Sequence, residues 1–173
     1  NPSDILDLST WIPVLEVDPE HSASTNDESM LSELVAQLDE EISAAPKNAT
    51  LRTQLARAYL DLSRARTLSG EEDVSYLWDL AHKESQRASD LSDTTPVAHA
   101  VFARTDWLLG GAASTAAPAA ARALPGLLGE ARSQLVAETL DVLVQARAEQ
   151  TFDAMDAGEL PEPLWISEIA AGA

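Results

Sequence analysis

The chain contains no cysteine. Disulfides, thiolate nucleophiles and cysteine-ligated metal ions are therefore excluded, while the redox compartment stays open. Long apolar runs are also lacking, since none approaches the roughly 20 residues that a helix needs to span a bilayer. We therefore expect no membrane insertion.

Aromatic residues make up only 5% of the chain, and lysine occurs only at Lys47 and Lys83. The apolar fraction is nevertheless 45%, and much of it is alanine, which indicates closely packed helices with thin layers of side chains. Runs of β-branched residues are few, and glycine and proline cluster at a handful of places, so the predicted fold class is all-α. The composition is typical of a soluble bacterial protein of the cytoplasm or the periplasm.

Positive charge is absent from both ends of the chain. Eleven carboxylates precede Lys47, the first base, and six follow Arg147, the last one. The net charge of −18 therefore sits mainly on two flanks around a nearly neutral middle. This segregation predicts an acidic flank at 1–28, a helical domain at 29–157 and an acidic tail at 158–173. The acidity disfavours binding to nucleic acid and to anionic membranes, because both rest on Lys and Arg.

Apolar residues recur with the helical period of 3.6 residues along most of the chain. Breakers and caps, such as Pro46 and Pro96, separate the periodic segments. The predicted helices span about residues 27–45, 49–67, 73–92, 96–109 and 125–156. Residues predicted to face inward include Leu34, Leu80, Leu91, Leu140 and Val144. The segment 112–124, nearly pure alanine around Pro118, predicts either a short helix or a flexible bridge.

An internal repeat underlies the helical pattern: Leu55-Ala56-Arg57 recurs 47 residues later as Phe102-Ala103-Arg104. Together with an aromatic residue at Tyr59, this makes residues 31–125 resemble the tetratricopeptide repeat. The physical basis of such a repeat is packing, because alanines let neighbouring helices approach while large residues fill the space between hairpins.

The match extends to Ala81 and Ala88, which are spaced as the two small residues of the second helix of such a repeat. The chain departs from the family pattern in two ways. About 13 extra residues separate Tyr59 from Ala81 relative to the 34-residue period, and Arg52 and His99 occupy the usual tryptophan position. An irregular helical bundle with chance alanine spacings is the alternative interpretation.

The resemblance implies antiparallel helical hairpins stacked as a short solenoid, with a concave groove that binds an extended peptide. The groove-facing positions that it implies are Thr50, Thr53, Gln54, Arg57 and Asp61 in one repeat, and Val97, Ala100, Val101, Arg104 and Trp107 in the next. Because Arg57 and Arg104 are equivalent, both are expected in the same groove, where they would bind carboxylates beside the apolar surface of Trp107. The predicted partner-binding set is Gln54, Arg57, Arg104 and Trp107.

These groove residues suit a protein or peptide partner, for instance an acidic and partly apolar segment. A second interpretation of the two arginines stays open. Each could instead be solvated, or paired with a helix neighbour such as Asp61 or Asp106.

Both flanks contain a Trp-Ile pair among carboxylates. The flank residues predicted to dock are Trp11, Ile12 and Leu15 at one end and Trp165, Ile166 and Ile169 at the other. Such a segment could enter the groove of its own chain or of a neighbour, or the tryptophans could cap the ends of the core. The alternative function is accordingly a structural or assembly subunit, which would be oligomeric where an adaptor is monomeric.

Motifs of catalysis and cofactor binding are lacking: the sequence has no Gly-rich phosphate loop, no HExxH and no GxSxG. The acidic cluster at 16–21 has no EF-hand glycine or closing glutamate, so a solvated turn is expected there. We therefore predict no catalytic residue, no metal and no cofactor, and favour a non-enzymatic adaptor. A helical enzyme or small-ligand carrier is the third interpretation, which a deep pocket with convergent polar groups would support.

Overall fold

The structure is a computed structural model that describes residues 25–92, 95–127 and 133–157. Within these ranges it contains the six helices α1 Thr25–Ala44, α2 Ala49–Leu68, α3 Ser75–Leu91, α4 Pro96–Leu108, α5 Ala113–Leu127 and α6 Ser133–Asp156. No strand occurs in the part of the chain that is described. The all-α prediction is therefore confirmed.

Successive helices form hairpins in a short solenoid-like arrangement. Each helix packs against the next one along the chain, and α4 also contacts α2 and α6. Contacts between neighbours and second neighbours are typical of stacked hairpins, because each pair buries its apolar face against the adjacent pair. The middle of the stack is thus α4, which is packed on several sides.

Two side chains accept hydrogen bonds from backbone N–H groups in the first turns of α2 and α3. Asn48 accepts hydrogen bonds from the backbone N–H groups of Thr50 and Leu51 at 3.0 and 3.2 Å, which satisfies two otherwise unpaired donors of α2. Asp73 accepts from the backbone N–H of Ser75 at 3.0 Å and from its hydroxyl at 2.6 Å. These bonds favour the charged carboxylate, so the Ser75 hydroxyl and N–H lower the pKa of Asp73.

Alanine forms much of the interface between the helices. Fully buried alanines occur in five of the described helices and include Ala56, Ala81, Ala100, Ala103, Ala117, Ala120 and Ala146. Leu55, Leu60 and Leu127 are the large side chains that fill the space left between them. Small residues at the contacts allow close helix approach, which explains how a chain so poor in aromatics still builds a dense core.

The alanine-rich segment is a helix rather than a bridge. Helix α5 continues through Pro118 and includes Pro125, although an internal proline removes a backbone donor and costs about 3 kcal/mol. Burial of one face offsets that cost: Ala113, Ala116, Ala117, Ala120, Ala123, Leu124 and Leu127 are buried. The predicted start of the last helix near residue 125 was therefore wrong, because α6 begins at Ser133.

Several apolar residues predicted to face inward are exposed. They are Leu34, Leu80, Leu91, Leu140 and Val144. Periodicity identifies an apolar stripe, but burial also needs a second element above it, and no described element covers these side chains. In addition, none of the described helices combines the length and the apolar character required to cross a membrane.

Candidate functional site

A cavity lined by described residues forms a groove between α1, α2 and the first turn of α4. Its volume is about 790 Å³, which is within the usual range for ligand sites. We call it the α1–α2 groove. Its apolar lining consists of Leu31, Leu34, Leu38, Ala58, Pro96 and Val97. Leu34 is exposed, so part of this apolar surface is open to a ligand.

One polar wall of the α1–α2 groove is formed by one face of α2. Thr50, Thr53, Gln54, Arg57 and Asp61 all border the groove, because residues three and four apart on a helix lie one above the other. The hydroxyl of Thr53 donates to the Ala49 carbonyl at 2.8 Å, whereas the exposed Gln54 has no hydrogen-bonding partner among the described residues. Gln54 is therefore available to an incoming polar group.

The opposite wall of the groove is formed by α1. Gln37 and Glu41 border the groove there, and the amide of Gln37 donates to Glu41 Oε1 at 2.8 Å. Neither residue of this wall was among the predicted site residues. The signal available was the spacing of Leu31, Leu34 and Leu38, which places an apolar stripe on α1 beside the predicted groove helix.

Arg57 is the cation of the groove, and only part of its guanidinium is hydrogen-bonded. Its Nε donates to Asp61 Oδ2 at 2.9 Å. Its Nη1 is buried and has no hydrogen-bond partner within the described residues. An unpaired buried donor costs about 1–3 kcal/mol, so an acceptor oxygen brought into the groove would be favoured at Arg57.

Asp61 is shared between two arginines. Its second oxygen accepts from Arg64, and Arg64 also pairs with Glu138 of α6. The carboxylate of Asp61 thus compensates Arg57 only in part. The sequence left open whether Arg57 faces a groove or pairs with Asp61. In the structure Arg57 does both: it pairs with Asp61 and lines the α1–α2 groove.

The other two residues of the predicted binding set lie against α6. Arg104 Nη1 donates to Asp141 Oδ2 at 3.3 Å, and Trp107 Nε1 donates to Gln145 Oε1 at 2.7 Å. Neither residue lines the α1–α2 groove. The expectation that both arginines share a groove therefore differs from the structure, because α6 packs beside this face of α4 and provides the partners.

A second, smaller cavity contains Arg104. Its volume is about 340 Å³, and its lining includes Leu60, Arg64, Trp78, Arg104 and Gln134. Of the remaining positions implied for the second repeat, Val97 lines the α1–α2 groove, whereas Ala100 and Val101 are fully buried. All five positions implied on α2 thus line the α1–α2 groove, whereas Val97 is the one implied position on α4 that lines it.

A buried ion pair occupies the position at which the repeat resemblance expects tryptophan. Arg52 Nη1 contacts Glu84 Oε2 of α3 at 2.5 Å, and Arg52 Nε and Nη2 donate to the Pro46 carbonyl at 2.9 and 2.8 Å. Glu84 is only 8% exposed. Arg52 therefore joins α2, α3 and the preceding turn, as a packed aromatic residue would.

The remaining predicted site residues lie outside the described residues. They are the flank residues Trp11, Ile12, Leu15, Trp165, Ile166 and Ile169. Among the described residues, no group of three or more His, Asp or Glu side chains could hold a metal ion. His82 stacks on Phe102 with a centroid distance of 4.6 Å, which is a packing contact.

Comparison with known proteins yields no relative of the chain: no family model matches it, and no curated protein or solved structure matches it at a significant level. The chemistry of the α1–α2 groove is therefore the basis for inferring a function.

Proposed function

We propose that the protein is a non-enzymatic interaction module that binds an extended segment of a partner protein in the α1–α2 groove. In this proposal its hairpins are tetratricopeptide-like, and α2 is the groove helix of its repeat. The observation that carries the proposal is the buried, unpartnered Nη1 of Arg57, in a groove that also presents apolar and amide side chains.

The lining matches what an extended peptide presents. The backbone of an extended peptide offers carbonyl and amide groups at regular intervals, and Gln54 can both donate to and accept from such groups. The apolar side chains of the peptide can pack on Leu34 and Leu38, which removes the exposed part of Leu34 from water. A peptide thus uses both kinds of surface in one groove.

Arg57 selects an oxygen acceptor on the bound segment. Nη1 is buried in the structure, so a rotation of the guanidinium is needed to bring it to a carbonyl or carboxylate of the ligand. The charge-assisted hydrogen bond formed there would relieve the unpaired donor. Glu41 and Asp61 bring negative charge into the same groove, so a run of acidic residues would be repelled. The ligand proposed here is a partly apolar segment with a single carboxylate placed near Arg57.

Selection of random linear peptides against the full chain tests the proposal. Enriched peptides are synthesised, and their affinities for the wild-type chain are measured by calorimetry. In Arg57→Glu the affinity should fall roughly tenfold or more, since one charge-assisted bond is lost and repulsion is added.

The matched control for this experiment is Lys83→Glu. Lys83 also pairs with a carboxylate of its own helix, Asp79, and it lies outside the groove. The affinity of this control variant for the peptides should equal that of the wild type. Failure to enrich any peptide, or equal affinities in wild type and Arg57→Glu, would contradict the proposal.

A further inference from the structure

Helix α6 has two apolar faces. One packs on the core and contains Leu135, Val142, Leu143 and Ala146, all of them buried. The other is exposed and contains Leu140, Val144, Phe152 and Met155, with exposed fractions of 41%, 66%, 66% and 58%. We call these four residues the outer α6 stripe.

The outer stripe is continuous along the helix. Leu140 and Val144 are four residues apart, Phe152 follows eight residues after Val144, and Met155 three residues after Phe152. With the exposed Ala148 between Val144 and Phe152, these side chains lie one above the other. At 1.5 Å per residue the stripe is about 22 Å long. Single exposed apolar side chains are ordinary on a protein surface, but a helix that is apolar on two sides is normally covered on both.

The rim of the outer stripe is acidic. Glu149, Asp153 and Asp156 are exposed, and none of them has an ion pair within the described part of the chain. Arg147 is the only base in the whole of α6. A partner that covers the apolar side chains would therefore meet several uncompensated carboxylates at the edge of the contact.

This charge argues against two occupants that the chain itself could supply. A second copy would place its own acidic rim against this one. The terminal segments 1–24 and 158–173 contain carboxylates but no Lys or Arg, so they too would be repelled. Opposite charge at the rim of an interface favours the correct partner and suppresses wrong ones.

We propose that the outer α6 stripe docks a basic amphipathic helix of another protein. Apolar residues at helical spacing on that partner would pack on Leu140, Val144 and Phe152, as in other recognition between helices. Lys or Arg beside its apolar face would pair with Glu149, Asp153 and Asp156. This surface is separate from the α1–α2 groove, and the proposal does not depend on the function of that groove.

Calorimetry with three synthetic peptides and the full chain tests the proposal. The first is a four-turn helix of Leu and Lys with all Leu on one face. The second has the same composition in scrambled order, and the third has Glu in place of every Lys. We expect binding of the first peptide alone, with an affinity that falls as salt is added.

Two variants locate the binding on the chain. Val144→Ser combined with Phe152→Ser should lower the affinity for the Leu-Lys peptide at least tenfold. Two control variants should leave that affinity unchanged. They are Met30→Ser, which replaces a matched exposed apolar residue on α1, and Arg57→Glu in the α1–α2 groove. If the double variant fails to fold, Glu149→Lys combined with Asp153→Lys tests the same surface through its charge. That variant should have a lower affinity for the Leu-Lys peptide and should bind the Leu-Glu peptide.

Three results would overturn the proposal. The first is equal binding of the Leu-Lys peptide and its scrambled isomer, and the second is unchanged affinity in both pairs of substitutions. The third is a wild-type dimer in light scattering that the Val144→Ser, Phe152→Ser variant converts to a monomer, because the stripe would then be occupied by a second copy.

Discussion

Arg57 Nε donates a 2.9 Å hydrogen bond to Asp61 Oδ2, one helical turn further along α2. The same carboxylate accepts from Arg64, which in turn pairs with Glu138 of α6. A chain of alternating charges thus runs from the α1–α2 groove to the last helix. Asp61 holds the position of Arg57 and also reduces the positive charge that a ligand would meet.

Asp61→Asn should strengthen the binding of carboxylate-containing peptides to the groove by roughly threefold to tenfold. The substitution removes a negative charge next to the proposed binding atom, which corresponds to about 1 kcal/mol in a half-exposed site. The free energy of unfolding should change by less than about 1 kcal/mol, since the ion pair is partly solvated. Calorimetry with peptides selected against the wild type and urea unfolding measure the two effects.

The control for Asp61→Asn is Asp79→Asn. Asp79 has the same i,i+4 pairing with a base, Lys83, and lies on α3 away from the groove. Peptide affinity should be the same in this variant as in the wild type. Weaker binding in Asp61→Asn would mean that Asp61 itself contacts the ligand, which contradicts the role given to Arg57.

Loss of Glu84 should destabilise the fold strongly. Glu84→Ala leaves the guanidinium of Arg52 buried between α2 and α3 without its carboxylate, and removal of one partner of a buried pair costs about 3–5 kcal/mol. Urea unfolding followed by circular dichroism gives the free energy. Replacement of both partners, as in Arg52→Met with Glu84→Leu, should cost less than Glu84→Ala alone.

An exposed pair provides the comparison for Glu84. Asp79→Ala breaks the Lys83–Asp79 pair, whose side chains are about half exposed, and should change the stability by less than about 1 kcal/mol. Equal effects of Glu84→Ala and Asp79→Ala would mean that the Arg52–Glu84 pair is solvated rather than buried.

Helix α5 approaches the start of α4 too closely for any side chain at Gly126. A Cβ atom there would lie 2.2 Å from Pro96 Cγ and 2.7 Å from Pro96 Cβ, and a proline ring has little freedom to move. Gly126→Ala should therefore destabilise the chain by about 1–3 kcal/mol in urea unfolding. Ser114→Ala, at an exposed position of the same helix, should stay within about 0.5 kcal/mol of the wild type.

The sign of the Gly126→Ala effect is informative. Alanine is about 1 kcal/mol better than glycine in a helix interior, so a substitution without steric conflict would stabilise the chain. A stabilised Gly126→Ala variant would mean that α5 and Pro96 are further apart than the structure has them.

The helices and most of the core could be predicted because they depend on local spacing. Apolar residues at i, i+3 and i+4 mark the stripe of α1 that contains the buried Leu38 and Ile42, and Pro46 separates α1 from α2. The alanine-rich α5 was harder, because Pro118 is a local signal against a helix. Burial between neighbouring helices outweighs that signal, and burial is not visible in a local pattern.

The part of the site that depends on local helical spacing could be predicted, and the part that depends on packing between distant helices could not. Gln54 and Arg57 line a groove because they share one face of α2, which helical spacing specifies. Arg104 and Trp107 contact Asp141 and Gln145, more than thirty residues further along. A repeat frame predicts equivalent positions on equivalent helices, but it cannot predict which of them a later helix covers.

Helix α6 illustrates the same limit. Both of its faces are apolar, so periodicity alone could not decide whether Leu143 or Val144 would be buried. In the structure Leu143 is buried and Val144 is exposed, because the face of α6 that contains Leu143 packs against α4 and α5. Leu140 and Val144, which were predicted to face inward, therefore belong to the outer stripe.

Tyr59 links the stability of the fold to alkaline pH. Burial, the charge of Asp39 and a 3.3 Å hydrogen bond from the hydroxyl to Asp39 Oδ2 raise the pKa of Tyr59 from 10.0 to about 12, with a smaller contribution from the charge of Glu84. Between these two values the unfolded chain loses the phenolic proton while the native chain keeps it. The unfolded state then binds fewer protons, so stability falls as the pH rises.

The contribution of Tyr59 should be fully present below pH 10 and should be lost by about pH 12, a change of roughly 2–3 kcal/mol. Urea unfolding across this range should therefore show that the wild type loses stability more steeply with pH than Tyr59→Phe does. All other titrating groups remain in that variant. The near-ultraviolet absorbance of tyrosinate, recorded in Tyr76→Phe, follows Tyr59 alone in the native chain. Equal slopes in wild type and Tyr59→Phe would mean that Tyr59 ionises in the native chain as readily as in the unfolded one, which contradicts its burial against Asp39.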